Sequence, residues 1–257
     1  MLAAKHPHPR DARIRFEEKG HKYFIDGRPA SDSGYVSTTT LVHSLFPGFD
    51  ADAVIAKMRR STRWEDSRYN GLTNDEIKQA WEKNRNAAAE AGTDMHANLE
   101  SCCNGLPHDQ GSREFLLFST FREDNPDLVP FRTEWLIFDE ESRISGSVDM
   151  IYTNPAGDYI MCDYKRCKEI RLYNRWQKGC SPLTESLDDC NYNHYSLQLG
   201  IYKAIIEKNY GIKISKTFLL VLHPGQETYL KVPTEDMSSV VANVLSQKDA
   251  DSTKERN

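Results

Sequence analysis

The chain has 257 residues, 39% of them hydrophobic and 28% charged, enough for one substantial buried core, as a single domain or one domain with a lobe. Its net charge of −5 and pI of about 5.9 exclude attraction to polyanions by the overall field, so any nucleic-acid site has to be a local patch. Residues 1–30 hold no apolar h-region and no run of about 18 apolar residues occurs, so an intracellular location, in cytoplasm or nucleus, is expected, without secretion or a membrane partner.

In chain order, residues 12–28 read as a hairpin, with RIRFEE and HKYFI flanking Lys19-Gly20 and an Asp26-Gly27 turn after them. Ser37 and Thr38 are good cap residues ahead of the apolar stripe Leu41, Val42 and Leu45, so a short helix is expected there, stopped by Pro47-Gly48. Helices are expected over 50–61, 73–104 and 112–123, with turns at Asn70-Gly71 and from Gly105 to Pro107. After Pro130 the apolar period becomes two, and a meander of strands is expected at 131–139, 143–153 and 158–165, the last two joined by NPAGD. Residues 166–191 form a polar, irregular insert, 193–209 an amphipathic helix ended by Gly211, and SKTFLLVLH a final buried strand. No internal repeat is found, and the apolar-poor end from Ser246, residues 246–257, is expected to be a disordered tail. The six cysteines, at 102, 103, 162, 167, 180 and 190, include no C-x-x-C pair and read as free thiols in a reducing compartment.

On the strand expected at 158–165, Asp163 and Lys165 are two apart and leave the same face, with Tyr164 on the other. Asp149 follows Gly146 and Ser147 on the preceding strand, where a hairpin across NPAGD brings it within reach of Asp163. Two carboxylates side by side in a sheet repel and lose hydration unless a cation sits between them. Oxygen ligands suit a hard ion such as Mg²⁺ or Mn²⁺. A protonated lysine is no ligand, but it can orient an attacking water and neutralise charge growing on a phosphate. Taken alone, Asp163 and Lys165 are equally a surface ion pair on an edge strand, with Asp149 capping a bend.

Two helical pairs add to this set. In AGTDMHANLE, His96 and Glu100 share one helix face, and an imidazole is a competent further ligand. Gly92 inside that helix costs about 1 kcal/mol against alanine, which suggests close approach of a backbone or strand. In YSLQLGIY, Gln198 and Tyr202 put an amide and a phenol on one face, within the chemistry that bonds a phosphate or its waters. Alone, a histidine on a helix is more often structural, and Gln198 with Tyr202 reads as a helix-surface polar pair. Glu134 on the first strand of the meander is a further carboxylate near the same sheet.

In order, G-x-x-x-H (Gly92 to His96), a strand carrying Glu134, G-x-x-D (Gly146 to Asp149), D-x-K fourteen residues beyond Asp149 and Q-x-x-x-Y (Gln198 to Tyr202) resemble the PD-(D/E)XK nuclease superfamily, in its RecB-like, lambda-exonuclease-like branch. The resemblance spans roughly residues 90 to 223, and STTTLVHSLFPGFDADAVIAKM before it resembles exonuclease-like proteins of large DNA viruses. It implies an α/β fold: a restriction-endonuclease-like core over 91–245, with a central mixed β-sheet flanked by helices, and an N-terminal hairpin and helical region over 1–90 packed on it. It implies His96, Asp149, Asp163 and the backbone carbonyl of Tyr164 as ligands to Mg²⁺ or Mn²⁺, and Lys165 as the catalytic lysine. Glu134, Gln198 and Tyr202 become catalytic-site groups that support or position substrate, and Glu100 a helper.

The activity implied is phosphodiester hydrolysis leaving 5′-phosphates, as a DNA exonuclease in recombination, repair or replication. The alternatives are a structure- or sequence-specific endonuclease and an inactive nucleic-acid-binding module. Relatives with an iron–sulfur cluster carry three cysteines after the Q-x-x-x-Y helix; here none follows Cys190, so no such cluster is expected. Asp163 stands where many relatives have glutamate, which shortens its reach.

For the partner, KRCKEIRLYNRWQK at 165–178 sets six basic residues against one acidic, with Tyr173 and Trp176 interleaved, and KMRRSTRW at 57–64 is similar. Cations neutralise phosphates and aromatics stack on unpaired bases. Lys165, Arg166, Lys168, Arg171, Arg175, Trp176, Arg59 and Arg60 are therefore candidate contacts to DNA, at linear ends or single strands. A solvated basic loop is the alternative for either run.

Overall fold

The computed structural model describes residues 1–256. Helix α1 (Leu2–Lys5) leads through a 3-10 turn at Pro9–Arg13 into a small antiparallel sheet of β1 (Ile14–Glu17), β2 (Lys22–Ile25) and β3 (Arg28–Pro29). Strand β4 (Val36–Ser37) runs into α2 (Thr38–Ser44), which Ser37 caps by accepting the Thr40 N–H at 3.1 Å. Helices α3 (Ala51–Arg59), α4 (Asn74–Cys103) and α5 (Arg113–Asp124) follow, α4 opening on a reciprocal cap between Thr73 and Glu76. The rest is β5 (Val129–Asp139), β6 (Ile144–Thr153), β7 (Tyr159–Lys165), α6 (Asn191–Asn209), β8 (Ile214–Val221), β9 (Leu230–Pro233) and α7 (Ser238–Arg256).

Six strands form one mixed sheet in the order β4-β6-β7-β8-β9, with β5 antiparallel along the other edge of β6. On one face, Met95 and Leu99 of α4 and Leu117, Phe118 and Phe121 of α5 pack against the sheet. Phe118 and Phe121 are 0% and 1% exposed, and burying each contributes about 2–3 kcal/mol to holding α5 in place. Helices α2, α6 and α7 cover the opposite face. The fold is thus α/β, a central mixed sheet flanked by helices.

The register decides where the sheet opens. The edge of β6 turned away from β5 pairs with β4 at Ile144 and Ser145 and with β7 from Met150 to Thr153. Between them, residues 146–149 pair with neither strand. Asp149 closes this gap.

Several sequence expectations change. The boundary at residue 90 falls inside the continuous helix α4, and β4 from the N-terminal region enters the central sheet. The stretch from Ser246 to Arg256, expected to be disordered, belongs to α7, whose Met237 approach, Val241 and Val244 are buried in the core; a helix docked at one end extends at little further cost. Asn257 of the expected tail lies outside the described residues. A side chain at Gly92 would meet nothing within 4 Å, so no strand or backbone approaches it. The six cysteines are free thiols, and among the described residues no helix is long and apolar enough to cross a membrane.

Candidate active site

Tyr164 of β7 is buried among the α4 and α5 side chains, so its neighbours Asp163 and Lys165 face the other way, towards α6. Lys165 Nζ lies 2.5 Å from Asp163 Oδ2, with side-chain exposures of only 18% and 4%. The ammonium also sits 4.5 Å from the centre of the Tyr195 ring on the first turn of α6. Asp163 Oδ2 is buried and, for all its closeness to the ammonium, makes no hydrogen bond of acceptable geometry.

Asp149 lies just past the last β6–β7 pair, and its Oδ2 accepts the Tyr164 N–H at 2.7 Å in place of a ladder carbonyl. Val148 and Ile151, three apart, pack into the same core, so the alternation of faces slips by one between them, around Asp149. Across on β5, Glu134 falls between the pairs Thr133–Met150 and Trp135–Val148, at φ +40°, a left-handed conformation uncommon outside glycine. Ser147 Oγ donates to Glu134 Oε2 at 2.9 Å. Helix α4, anchored by Met95 and Leu99, delivers His96 with Nδ1 3.4 Å from Glu134 Oε1 and 3.6 Å from Asp149 Oδ2. The ligand atoms of His96, Glu134 and Asp149 all lie within 4.8 Å of one another, a group that could hold a metal ion.

The electrostatics follow from this crowding. Burial, and then the charge of Asp163, raise the pKa of Asp149. Burial opposes the charge on His96, but Asp149 and Glu134 outweigh it and lift its pKa to about 9. Burial likewise opposes the Lys165 ammonium, and Asp163 and Asp149 again prevail, raising its pKa so that it stays charged. Glu100, one turn from His96, is pushed up by burial and by Glu134. In this state the proton on His96 is what offsets Glu134 and Asp149. The same three groups could instead hold a metal ion, for which the imidazole and the carboxylates would have to shed their protons. The expected ligand set held Asp163 and put Glu134 behind it; here Glu134 groups with His96 and Asp149, while Asp163 faces Lys165.

Tyr202 is 4% exposed and its hydroxyl accepts from Gln198 Nε2 at 3.1 Å. Any side chain at Gly146 would collide with the Tyr202 ring, so the glycine of G-x-x-D is what lets α6 close on the unpaired stretch of β6. Sequence reasoning missed Ser147, Tyr195 and Tyr23, the last raised in pKa by burial and then by the charges of Glu134 and Asp149. Tyr195 was findable: it stands three residues before Gln198 and seven before Tyr202, on the same helix face.

The candidate DNA contacts separate into two sets. Arg166 Nε is bound to Glu114 of α5 at 2.7 Å, and both side chains are largely buried. Arg59 donates to Leu72 O at 2.7 Å and Asn74 Oδ1 at 3.1 Å, and Arg60 to Ala56 O at 3.1 Å, so these arginines serve the chain's own connections. Lys168, Arg175 and Trp176, in contrast, line one open cavity together with Cys167, two residues beyond Lys165, and with Arg171, whose Nε is paired with Glu169 at 2.7 Å.

No protein-family model and no curated protein matches the chain. Among solved structures, it is similar to the protein designated SSO0001, at 14% identity over 84% of this chain and 74% of that one, with a TM-score of 0.32. It is also similar to a protein of Eubacterium rectale named as a putative exonuclease, at 12% identity over 60% of this chain and 70% of that one, with a TM-score of 0.28. Likenesses this distant carry no functional argument, and the reading of the site rests on its own residues.

Proposed function

We propose that this protein is a divalent-metal-dependent nuclease that hydrolyses DNA phosphodiester bonds from strand ends and leaves 5′-phosphates. The observation that carries this reading is the charged Lys165 held against Asp163 beside the His96–Glu134–Asp149 group, in the one stretch of β6 left unpaired between β4 and β7. His96, Glu134 and Asp149 would hold the ion, with Asp163 and the Tyr164 carbonyl as further donors. Mg²⁺ or Mn²⁺ bound there supplies Lewis acidity towards a water and the phosphate oxygens. Asp149 is oriented for this by the Tyr164 N–H, and Glu134 by Ser147. Lys165, being protonated, cannot act as a base; it holds the attacking water by donation and offsets charge growing on the phosphate. Removal of nucleotides from DNA ends suits recombination, repair or replication.

The test is cleavage of linear and closed-circular DNA with Mg²⁺ or Mn²⁺, with EDTA, and with Lys165→Ala. Loss of the linear form alone, abolished by EDTA and by the substitution, is expected. Cutting of the circle would make the protein an endonuclease, and binding without cleavage an inactive module. Full activity in Lys165→Ala would refute the site.

A further inference from the structure

The segment between β7 and α6 starts one residue after Lys165 and returns to the first turn of α6. Between them lies an open cavity of about 850 Å³, lined by Lys168, Arg171, Tyr173, Arg175, Trp176 and His194 among others, within the ~300–1,000 Å³ typical of ligand sites. Its backbone is clamped. The Arg171 N–H donates to Asn191 Oδ1 at 2.8 Å, Asn191 Nδ2 returns a bond to Glu169 O at 3.0 Å, and Asn174 bonds Asp188 Oδ2 and Asp189 O at 3.1 and 2.8 Å.

The side chains are disposed the other way. Trp176 is 91% exposed and Tyr173 63%, with the Arg175 guanidinium 5.6 Å from the Tyr173 ring centre. A rigid loop that holds two large aromatics in water beside Lys168 and Arg175, while Arg171 is paired with Glu169 at 2.7 Å on the same wall, is complementary to something planar and apolar that carries negative charge at one edge. The cavity adjoins the chemistry: Cys167 on its wall is two residues from Lys165, and His194 precedes the Tyr195 that Lys165 touches.

We infer that this cavity is a stacking platform for unpaired nucleotides beside the bond to be cut, so that the strand enters single or frayed. Trp176 and Tyr173 stack on the bases, and Lys168 and Arg175 take the phosphates. A duplex keeps its bases stacked on one another and would use only the cations. The inference rests on the nuclease reading for its purpose but not for its test. The experiment is fluorescence anisotropy of the full chain, in EDTA, with labelled oligothymidine and with a blunt duplex of equal length, for the wild type, Trp176→Ala and Tyr173→Ala. Trp176→Ala is expected to weaken oligothymidine binding about tenfold and to leave duplex binding within about twofold. Exposed side chains carry both changes, so folding is not at risk. Unchanged oligothymidine affinity in both variants, or equal losses for strand and duplex, would overturn the platform. In a parallel arm, wild-type protein with Mn²⁺ is offered bis(p-nitrophenyl) phosphate, too small to span the platform; no hydrolysis there, with Trp176-dependent strand binding intact, would overturn the nuclease reading and leave the platform standing.

Discussion

Strand β5 carries two clusters of charge a few residues apart, and they are built on opposite principles. At Arg132 and Trp135, both oxygens of the acid are answered: Asp11 Oδ2 accepts from Arg132 Nη1 and the His8 N–H at 2.9 Å each, and Asp11 Oδ1 accepts from Trp135 Nε1 at 2.8 Å. Burial pushes the Asp11 pKa up, but these partners outweigh it and lower it. At Glu134, between them in sequence, three acids (Glu134, Asp149 and Asp163) share one imidazole and one ammonium, Asp149 is driven upward by burial and by Asp163, and the backbone itself is left-handed. Acid held at a depressed pKa stabilises a fold, whereas acid held at a raised one is a cost the rest of the fold sustains. The first cluster pins the N-terminal turn to the sheet; the second is a group that could hold a metal ion.

Breaking the comparison at the second cluster has the largest expected effect. Asp149→Asn should lower cleavage on the order of 10³-fold while the metal-free melting temperature stays the same or rises, because the amide keeps the Tyr164 N–H bond and relieves the repulsion. A matching fall in stability, seen by thermal denaturation, would place Asp149 in the structural class instead. Arg132→Ala should do the reverse. Its side chain is 5% exposed, so removing it leaves Asp11 without its ion-pair partner and costs roughly 3–5 kcal/mol by chemical denaturation, with cleavage per folded molecule unchanged.

Glu134→Gly sharpens the contrast further. Relief of the left-handed backbone should offset glycine's entropy, keeping the stability change under about 1 kcal/mol, while Mn²⁺ affinity measured by calorimetry falls at least about tenfold. An unaltered affinity would remove Glu134 from the ligand group. The smallest effects are in pH. The lowered Asp11 contributes stability present above the ordinary carboxylate value of ~3.9 and lost as pH falls through its folded value. The raised His96 contributes stability fully present below ~6.5 and lost as pH rises through about 9. Metal-free protein should therefore melt lower at high pH, and saturating Mn²⁺ should remove that slope; a melting curve flat across this range would contradict the imidazolium bridge.

Much of this was written locally. The helices at 73–104, 112–123 and 193–209 and the strands of the meander were legible because their apolar periods, caps and turns are local properties, and α4, α5, α6 and β5 to β7 occupy nearly those spans. Strands β4 and β9, at two and four residues, are too short to show a period. The tail was misjudged because α7 is held by Met237, Val241 and Val244 upstream of the stretch that looked unstructured.

By itself, the sequence determined which residue types stand on which strand and helix face: Asp163 with Lys165 on β7, Asp149 on β6, His96 on α4, and Gln198 with Tyr202 on α6. Only the tertiary structure decided their grouping. Which acid meets His96 depends on the antiparallel register of β5 against β6, on the slip around Asp149, and on the parallel pairing of β4, whose two residues leave 146–149 open. Spacing along a chain fixes the face a side chain leaves by; the distance between strands far apart in sequence is fixed by the packing of helices onto both sides of the sheet, and no local pattern contains it.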